Sequence, residues 1–146
     1  MEALKVRPPN ATTGQAVVTK LDAFTRLSED DRAALARLCR NLRRVDARRD
    51  LISEGDKPRV VNLVVEGWAC RYKTLEDGRR QITGFVLPGD FCDLNLLILG
   101  VMDYSLGSMT PVTLAQITGK EFDAVTLDHP RVLQALWWET LVREAI

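Results

Sequence analysis

The side chains able to do chemistry are few, and their spacing restricts them further. A single histidine, His129, rules out multi-histidine metal sites and leaves one candidate base for any Ser-His-Asp arrangement. It stands beside Pro130 at an expected helix start, which suits a capping or surface residue better than a haem ligand. Cys39, Cys70 and Cys92 are odd in number and lie 31 and 22 residues apart, with no C-x-x-C pair. Neither a disulfide framework, a structural zinc site nor a four-thiolate cluster fits that pattern. Cys70, next to Arg71, is the candidate for a lowered thiol pKa, but buried and inert thiols are the expectation. Gly84 to Gly89 has the glycine spacing of a phosphate loop, but Asp90 and Phe91 stand where Lys and Ser or Thr are required.

Charge narrows the choice again. Twenty Lys and Arg balance twenty Asp and Glu, so no global field steers the chain to nucleic acid or an anionic membrane, and any binding patch must be local. Arg37, Arg40, Arg43, Arg44, Arg48 and Arg49 put six positive charges into thirteen residues against Asp46 alone. A phosphate-backbone patch has that form, but so does a solvated helix face, and Glu29, Asp30 and Asp31 at the other end favour the latter. Between Arg80 and Lys120 there is no Lys or Arg, while Asp90, Asp93 and Asp103 give that stretch a net charge of −3. The longest apolar run, Leu94 to Met102, is broken by Asn95 and Gly100 and is far short of the roughly 18 residues of a membrane span. The start of the chain, with Glu2 and Pro8-Pro9, lacks the pattern of a secretory signal, so a soluble cytoplasmic protein is expected.

The elements that must position these residues are readable from pattern. Residues 1–20 are breaker-rich and read as a flexible lead-in. Ser28 then caps a helix with Glu29, Asp30 and Asp31 in its first turn, an apolar stripe of Leu35, Leu38 and Leu42, and Arg43 and Arg44 at its negative end. From Val45 to Ile117 short apolar runs alternate with turns at Gly55, Gly67, Gly78, Gly89 and Gly100, spaced 12, 11, 11 and 11 apart, the spacing of an all-β sandwich or barrel. Val60 to Val65, Trp68 to Lys73, Gln81 to Leu87 and Leu114 to Ile117 read as strands, with Asp77-Gly78 as a hairpin turn. Asp93 to Met102 is ambiguous between helix and strand, and Leu94, Leu96, Leu97, Ile98 and Met102 suit a core better than a pocket lining. Lys120 to Thr126 forms one or two helical turns, and Asp128 and Pro130 open a longer helix through Leu133, Leu136, Trp137, Leu141 and Ala145. Trp137 and Trp138 are about 100° apart on that helix, so one is expected on the β-body and the other toward a partner. Its period is unbroken at Ile146, which suggests that the natural helix continues.

This order of elements resembles the cyclic-nucleotide-binding domain of the Crp/Fnr family of bacterial transcription regulators, over about residues 20–146. The most specific pieces are Leu51-Ile52-Ser53-Glu54-Gly55-Asp56, Leu63-Val64-Val65-Glu66-Gly67, Glu76-Asp77-Gly78-Arg79 and Pro88-Gly89-Asp90-Phe91, followed by Phe122 and His129-Pro130. The resemblance implies a double-stranded β-helix, or jelly roll, with flanking helices over residues 21–128. It also implies the start of a dimerisation helix at 129–146, and a DNA-binding helix-turn-helix domain that these residues do not contain. It places an effector pocket at Gly89, Asp90, Phe91, Asp93, Leu94, Asn95, Asp103, Tyr104 and Ser105, and a homodimer contact at Leu133, Leu136, Trp137, Thr140, Leu141 and Glu144.

The cyclic-AMP-binding members carry a Gly-Glu pair for the ribose and a later Arg followed by Ser or Thr for the phosphate. Asp93-Leu94 replaces the first here, and Met102 to Ser105 offers no arginine for the second. A desolvated phosphate needs a charge-assisted donor, and an acidic wall opposes it. Cyclic AMP and cyclic GMP are therefore expected not to bind unless Arg71, Lys73 or Arg79 reaches in from the hairpin. No cofactor is expected, and an unidentified small-molecule effector takes the place of the nucleotide. A stand-alone module acting on a protein partner is the alternative reading. A cupin-type enzyme would need two or three histidines for its metal and is excluded by the single one.

Overall fold

The computed structural model describes residues 14–94 and 96–144. Among the described residues seven strands form two antiparallel sheets. One has the order β1 (Leu42–Val45), β7 (Val112–Thr118), β3 (Val60–Glu66), and the other β2 (Asp50–Ile52), β6 (Ser105–Ser108), β4 (Ala69–Thr74), β5 (Arg80–Val86). Helices α1 (Gln15–Asp22), α2 (Glu29–Leu38), α4 (Gly119–Asp128) and α5 (Pro130–Glu144) flank the first sheet, and the short α3 (Leu96–Leu99) lies in the connection from β5 to β6.

Two layers of apolar side chains hold this arrangement. Val61 and Leu63 of β3 and Ala115 and Ile117 of β7 pack with Val17, Leu21, Leu35, Leu38, Phe122, Val132 and Leu136 of the helices. On the opposite face of the same strands, Val64, Val112 and Leu114 meet Leu51, Val86, Met102 and Leu106 from the second sheet and its connections. The central strands are thus covered on both faces, which is why they read as apolar runs rather than alternating patterns.

The local signals act as expected at several points. Ser28 and Asp31 form a reciprocal capping box, with Asp31 N donating to Ser28 Oγ at 3.1 Å and Ser28 N to Asp31 Oδ2 at 2.9 Å. The five regularly spaced glycines all have positive φ, between 70° and 91°, so the punctuation that suggested a roll marks real turns. At Gly89 the requirement is also steric, because a Cβ there would lie 2.7 Å from the Ala16 carbonyl oxygen of α1.

Three expectations are corrected. The lead-in assigned to residues 1–20 turns helical at Gln15, and Val17, 2% exposed, and Leu21 anchor α1 in the core. Their i, i+4 spacing was present but followed a run of breakers; residues 1–13 lie outside the described residues. The helix after Ser28 stops at Leu38, and Leu42, Arg43 and Arg44 belong to β1, because β7 captures them in register Leu42 to Ala115, Arg43 to Leu114 and Arg44 to Thr113. In α5, Leu136 turns into the core with Val132 and Ala135, whereas Leu133, Trp137, Trp138 and Leu141 are exposed. Leu136 is therefore not on the outward face, and neither tryptophan is buried against the roll.

Candidate functional site

The segment Pro88 to Asp93 is tied backbone to backbone onto β3. Val64 N donates to Asp90 O at 3.0 Å, Gly89 N to Val64 O at 2.9 Å and Cys92 N to Asn62 O at 2.8 Å. Its side chains then point into different surroundings. Phe91 is buried and meets Phe122 of α4 edge to face, with centroids 6.0 Å apart. Asp90, also buried, accepts from Leu87 N at 2.9 Å and pairs with Lys20 of α1 and, at 3.0 Å, with Arg143 of α5. Arg143 also pairs with Glu139 one helical turn back. Two cations and two carboxylates therefore join α1, the turn and α5 in one neutral clasp. Burial holds the Lys20 ammonium below its ordinary pKa, against the pull of Glu139.

Asp93 is fully buried and faces the roll instead. Its Oδ1 accepts from Asn62 N at 2.9 Å and its Oδ2 from Asn62 Nδ2 at 3.1 Å. Desolvation pushes its pKa up to about 6, and the Asn62 hydrogen bonds and the nearby Arg71 only partly counter this. Tyr104 donates its hydroxyl to the Cys92 carbonyl at 2.5 Å, and burial raises its pKa to about 12. The Arg71 guanidinium lies over the Tyr104 ring, 5.2 Å from its centroid.

Between this layer and α5 lies a cleft of about 190 Å³, lined from the roll by Arg71, Phe91, Leu94 and Tyr104 and from the helix by Glu139, Thr140, Arg143 and Glu144. Five residues expected at either the pocket or the dimer helix thus meet here: Phe91, Leu94, Tyr104, Thr140 and Glu144. The others are placed elsewhere. Gly89 seats α1, Asp90 belongs to the clasp, Asp93 is turned onto Asn62, and Ser105 Oγ accepts from Glu54 N at 2.9 Å. Asp103 is exposed and is not part of the cleft wall, and Asn95 lies outside the described residues. The three aspartates expected as an acidic wall are therefore not in the lining, whose charges are those of Arg71 and Arg143 against Glu139 and Glu144. Lys73 and Arg79 stay in solvent, Arg79 paired with Asp77 at 2.7 Å.

The sequence reading held Arg71 only as a contingency and missed Lys20, Glu139 and Arg143. The one sequence signal for the latter pair is their i, i+4 spacing of opposite charge in the last helix. Within the apolar run, Leu96 and Met102 are core, while Leu97, Ile98 and Leu99 are exposed, Ile98 at 87%. His129 ends α4 and contacts Asp31 through Nδ1 at 2.9 Å, pinning α4 to α2. All three cysteines are free and buried, and burial pushes the Cys39 thiol up to about 11 and raises that of Cys92 as well. Among the described residues no three His, Cys, Asp or Glu side chains are grouped to hold a metal, and no helix is long and apolar enough to cross a membrane.

Comparison with known proteins places this architecture. Residues 42–129 match the cyclic nucleotide-binding domain family. The nitrogen fixation regulation protein FixK of Bradyrhizobium diazoefficiens is 40% identical over 73 residues, covering 50% of this chain and 30% of that protein. The chain spans between 30% and 39% of the length of the curated relatives it matches, all named as regulators or activators and none as an enzyme. In structure, the N-terminal domain of a transcriptional regulator from Streptomyces coelicolor A3(2) superposes with a TM-score of 0.67 at 21% identity, covering 90% of each chain. The catabolite activator protein of Thermus thermophilus gives a TM-score of 0.69 at 21% identity, over 84% of this chain and 58% of that one. The matched residues include the motifs from Leu51 to Phe91, and the chain belongs to the cyclic nucleotide-binding domain family.

Proposed function

We propose that the chain senses a small molecule in the cleft between roll and α5, passes the signal through α5 of a homodimer, and controls a DNA-binding domain outside these residues, in the cytoplasm. The observation that carries this reading is the shared wall: Phe91, Leu94 and Tyr104 of the roll face Thr140 and Glu144 of α5 across one cleft. An occupant that touches both walls changes the seat of α5 relative to the roll, and the clasp from Asp90 to Arg143 lies beside that contact. In a two-fold dimer such a shift re-spaces attached DNA-reading domains to fit or miss two operator half-sites. Leu133, Trp137 and Leu141, apolar and exposed on the outer side of α5, supply the surface for the second copy.

The effector in this proposal is neither cyclic AMP nor cyclic GMP. The cleft's volume of about 190 Å³ is below the roughly 300–1,000 Å³ of sites that enclose drug-sized ligands. Arg71 does reach the cleft from β4, but residues 88–105 add no arginine to it, Glu144 stands on the opposite wall, and the space is too small for a purine, a ribose and a cyclic phosphate together. Calorimetric titration with each nucleotide is the test. No saturable heat at millimolar nucleotide is expected, and saturable micromolar binding of either would contradict the proposal.

A further inference from the structure

Of the two cations that line the cleft, Arg71 is the one without a contact ion pair among the described residues. Arg143 is held by Asp90 and Glu139. The Arg71 guanidinium lies over the Tyr104 ring, and among the described residues it makes no ion pair, while its Nε is buried without a hydrogen-bond partner. A guanidinium carries five donors in a fixed fork, and leaving a buried donor unpaired is costly, so this position is built for an acceptor that arrives from outside the chain. Asp93 accepts from Asn62 with both oxygens and acts on Arg71 through space, without a hydrogen bond between them.

Resting on the reading of the cleft as the effector site, we propose that the effector is a small monocarboxylate. Its carboxylate pairs with the Arg71 guanidinium, and its apolar body lies between Phe91, Leu94 and Tyr104. The volume, about 190 Å³, equals roughly six waters' share of liquid, so the body is one small ring or a short branched chain. Glu144 on the facing wall limits the charge: Glu139 is paired with Arg143, so a dianion such as a phosphate monoester would meet Glu144 with Arg71 alone to balance it. The fork also explains why charge alone is insufficient: a planar carboxylate takes two parallel N–H donors, a geometry that lysine cannot offer.

The test uses matched pairs of probes, benzoate with benzamide and isovalerate with isovaleramide, titrated into the full chain while the Arg71 Nε–H resonance and the backbone amides of Leu94, Tyr104 and Thr140 are followed by NMR. Each acid is expected to bind about ten- to a hundredfold more tightly than its amide and to move the Arg71 Nε–H signal. Arg71→Lys is expected to remove most of that preference while the fold, checked by its amide spectrum, is kept. Equal binding of acid and amide at Leu94 and Thr140 overturns the role of Arg71 but leaves the cleft as a ligand site. If neither acid moves the Arg71 signal, the inference fails, and the cleft-filling substitution Leu94→Phe then decides about the cleft itself, since a response of α5 to it keeps that reading and an indifferent α5 removes it as well.

Discussion

Two aspartates three residues apart show how differently the two sides of the segment Pro88 to Asp93 are held. Asp90 faces the helices and is stabilised as an anion by Lys20 and Arg143. Asp93 faces the roll and is held by two N–H groups of Asn62, with Arg71 acting on it only through space and its pKa pushed up to about 6. The helix side is thus an electrostatic joint between separate elements, while the roll side is a hydrogen-bonded one within a continuous strand layer. Ion pairs reach across a moving boundary and re-form, whereas a buried amide–carboxylate pair is lost abruptly when its geometry slips. The arrangement places the adjustable joint where α5 meets the roll.

The largest expected effect comes from cutting the helix side. Asp90→Ala leaves Lys20 and Arg143 with Glu139 as their one carboxylate of the clasp and removes the acceptor for Leu87 N, at a cost of about 3 kcal/mol in chemical denaturation, the lower end of the range because both cations retain some solvent and a partner. Added salt is expected to weaken the wild type more than this variant. Asn62→Leu comes next, at about 2 kcal/mol, because it leaves a buried carboxyl without its side-chain donor and an apolar group in its place. It should also raise the Asp93 pKa further, readable from the carboxyl carbon by NMR.

A further effect separates Asp93 from Asp31 by pH. The Asp93 carboxyl titrates near 6 in the folded chain against an ordinary value of 3.8, so the folded state binds the extra proton. Its contribution to stability is greatest below the ordinary value, declines as pH rises through that window and is level above it. Asp31 works in the opposite sense: burial would raise its carboxyl, but hydrogen bonds from Ser28 and His129 outweigh that and hold it below its ordinary value, so its contribution is lost on acidification. Comparing wild type with Asp93→Asn isolates the first effect, since the variant should lack the decline. The smallest expected change in monomer stability, within about 0.5 kcal/mol, belongs to Leu141→Glu on the exposed face of α5. Sedimentation should nonetheless show weakened self-association, and an unchanged dimer would remove the assigned contact.

What could be read in advance follows the range of each interaction. The Ser28 cap, the glycine turns and the helix after Pro130 depend on residues within a few positions of one another, and all are found where their signals stand. The clasp joins residues 20, 90, 139 and 143, and no local rule connects them. Arg71 was obscured by its own strand, because the β4–β5 register shifts between Arg71 and Tyr72 and interrupts the alternation that separates inward from outward side chains. Counting charge over a contiguous stretch then misjudged the pocket, since the acids of residues 81–119 turn away from the cleft and its cations arrive from β4 and α5.

The most direct measurement of the link between cleft and helix is hydrogen exchange in Leu94→Phe, where the added ring occupies the space between roll and α5. Faster exchange confined to α5 from Glu139 to Glu144, with β3 and β7 protected as in the wild type, is the predicted result. Exchange unchanged in that helical turn, or raised equally through the strands, would contradict the coupling of the cleft to α5.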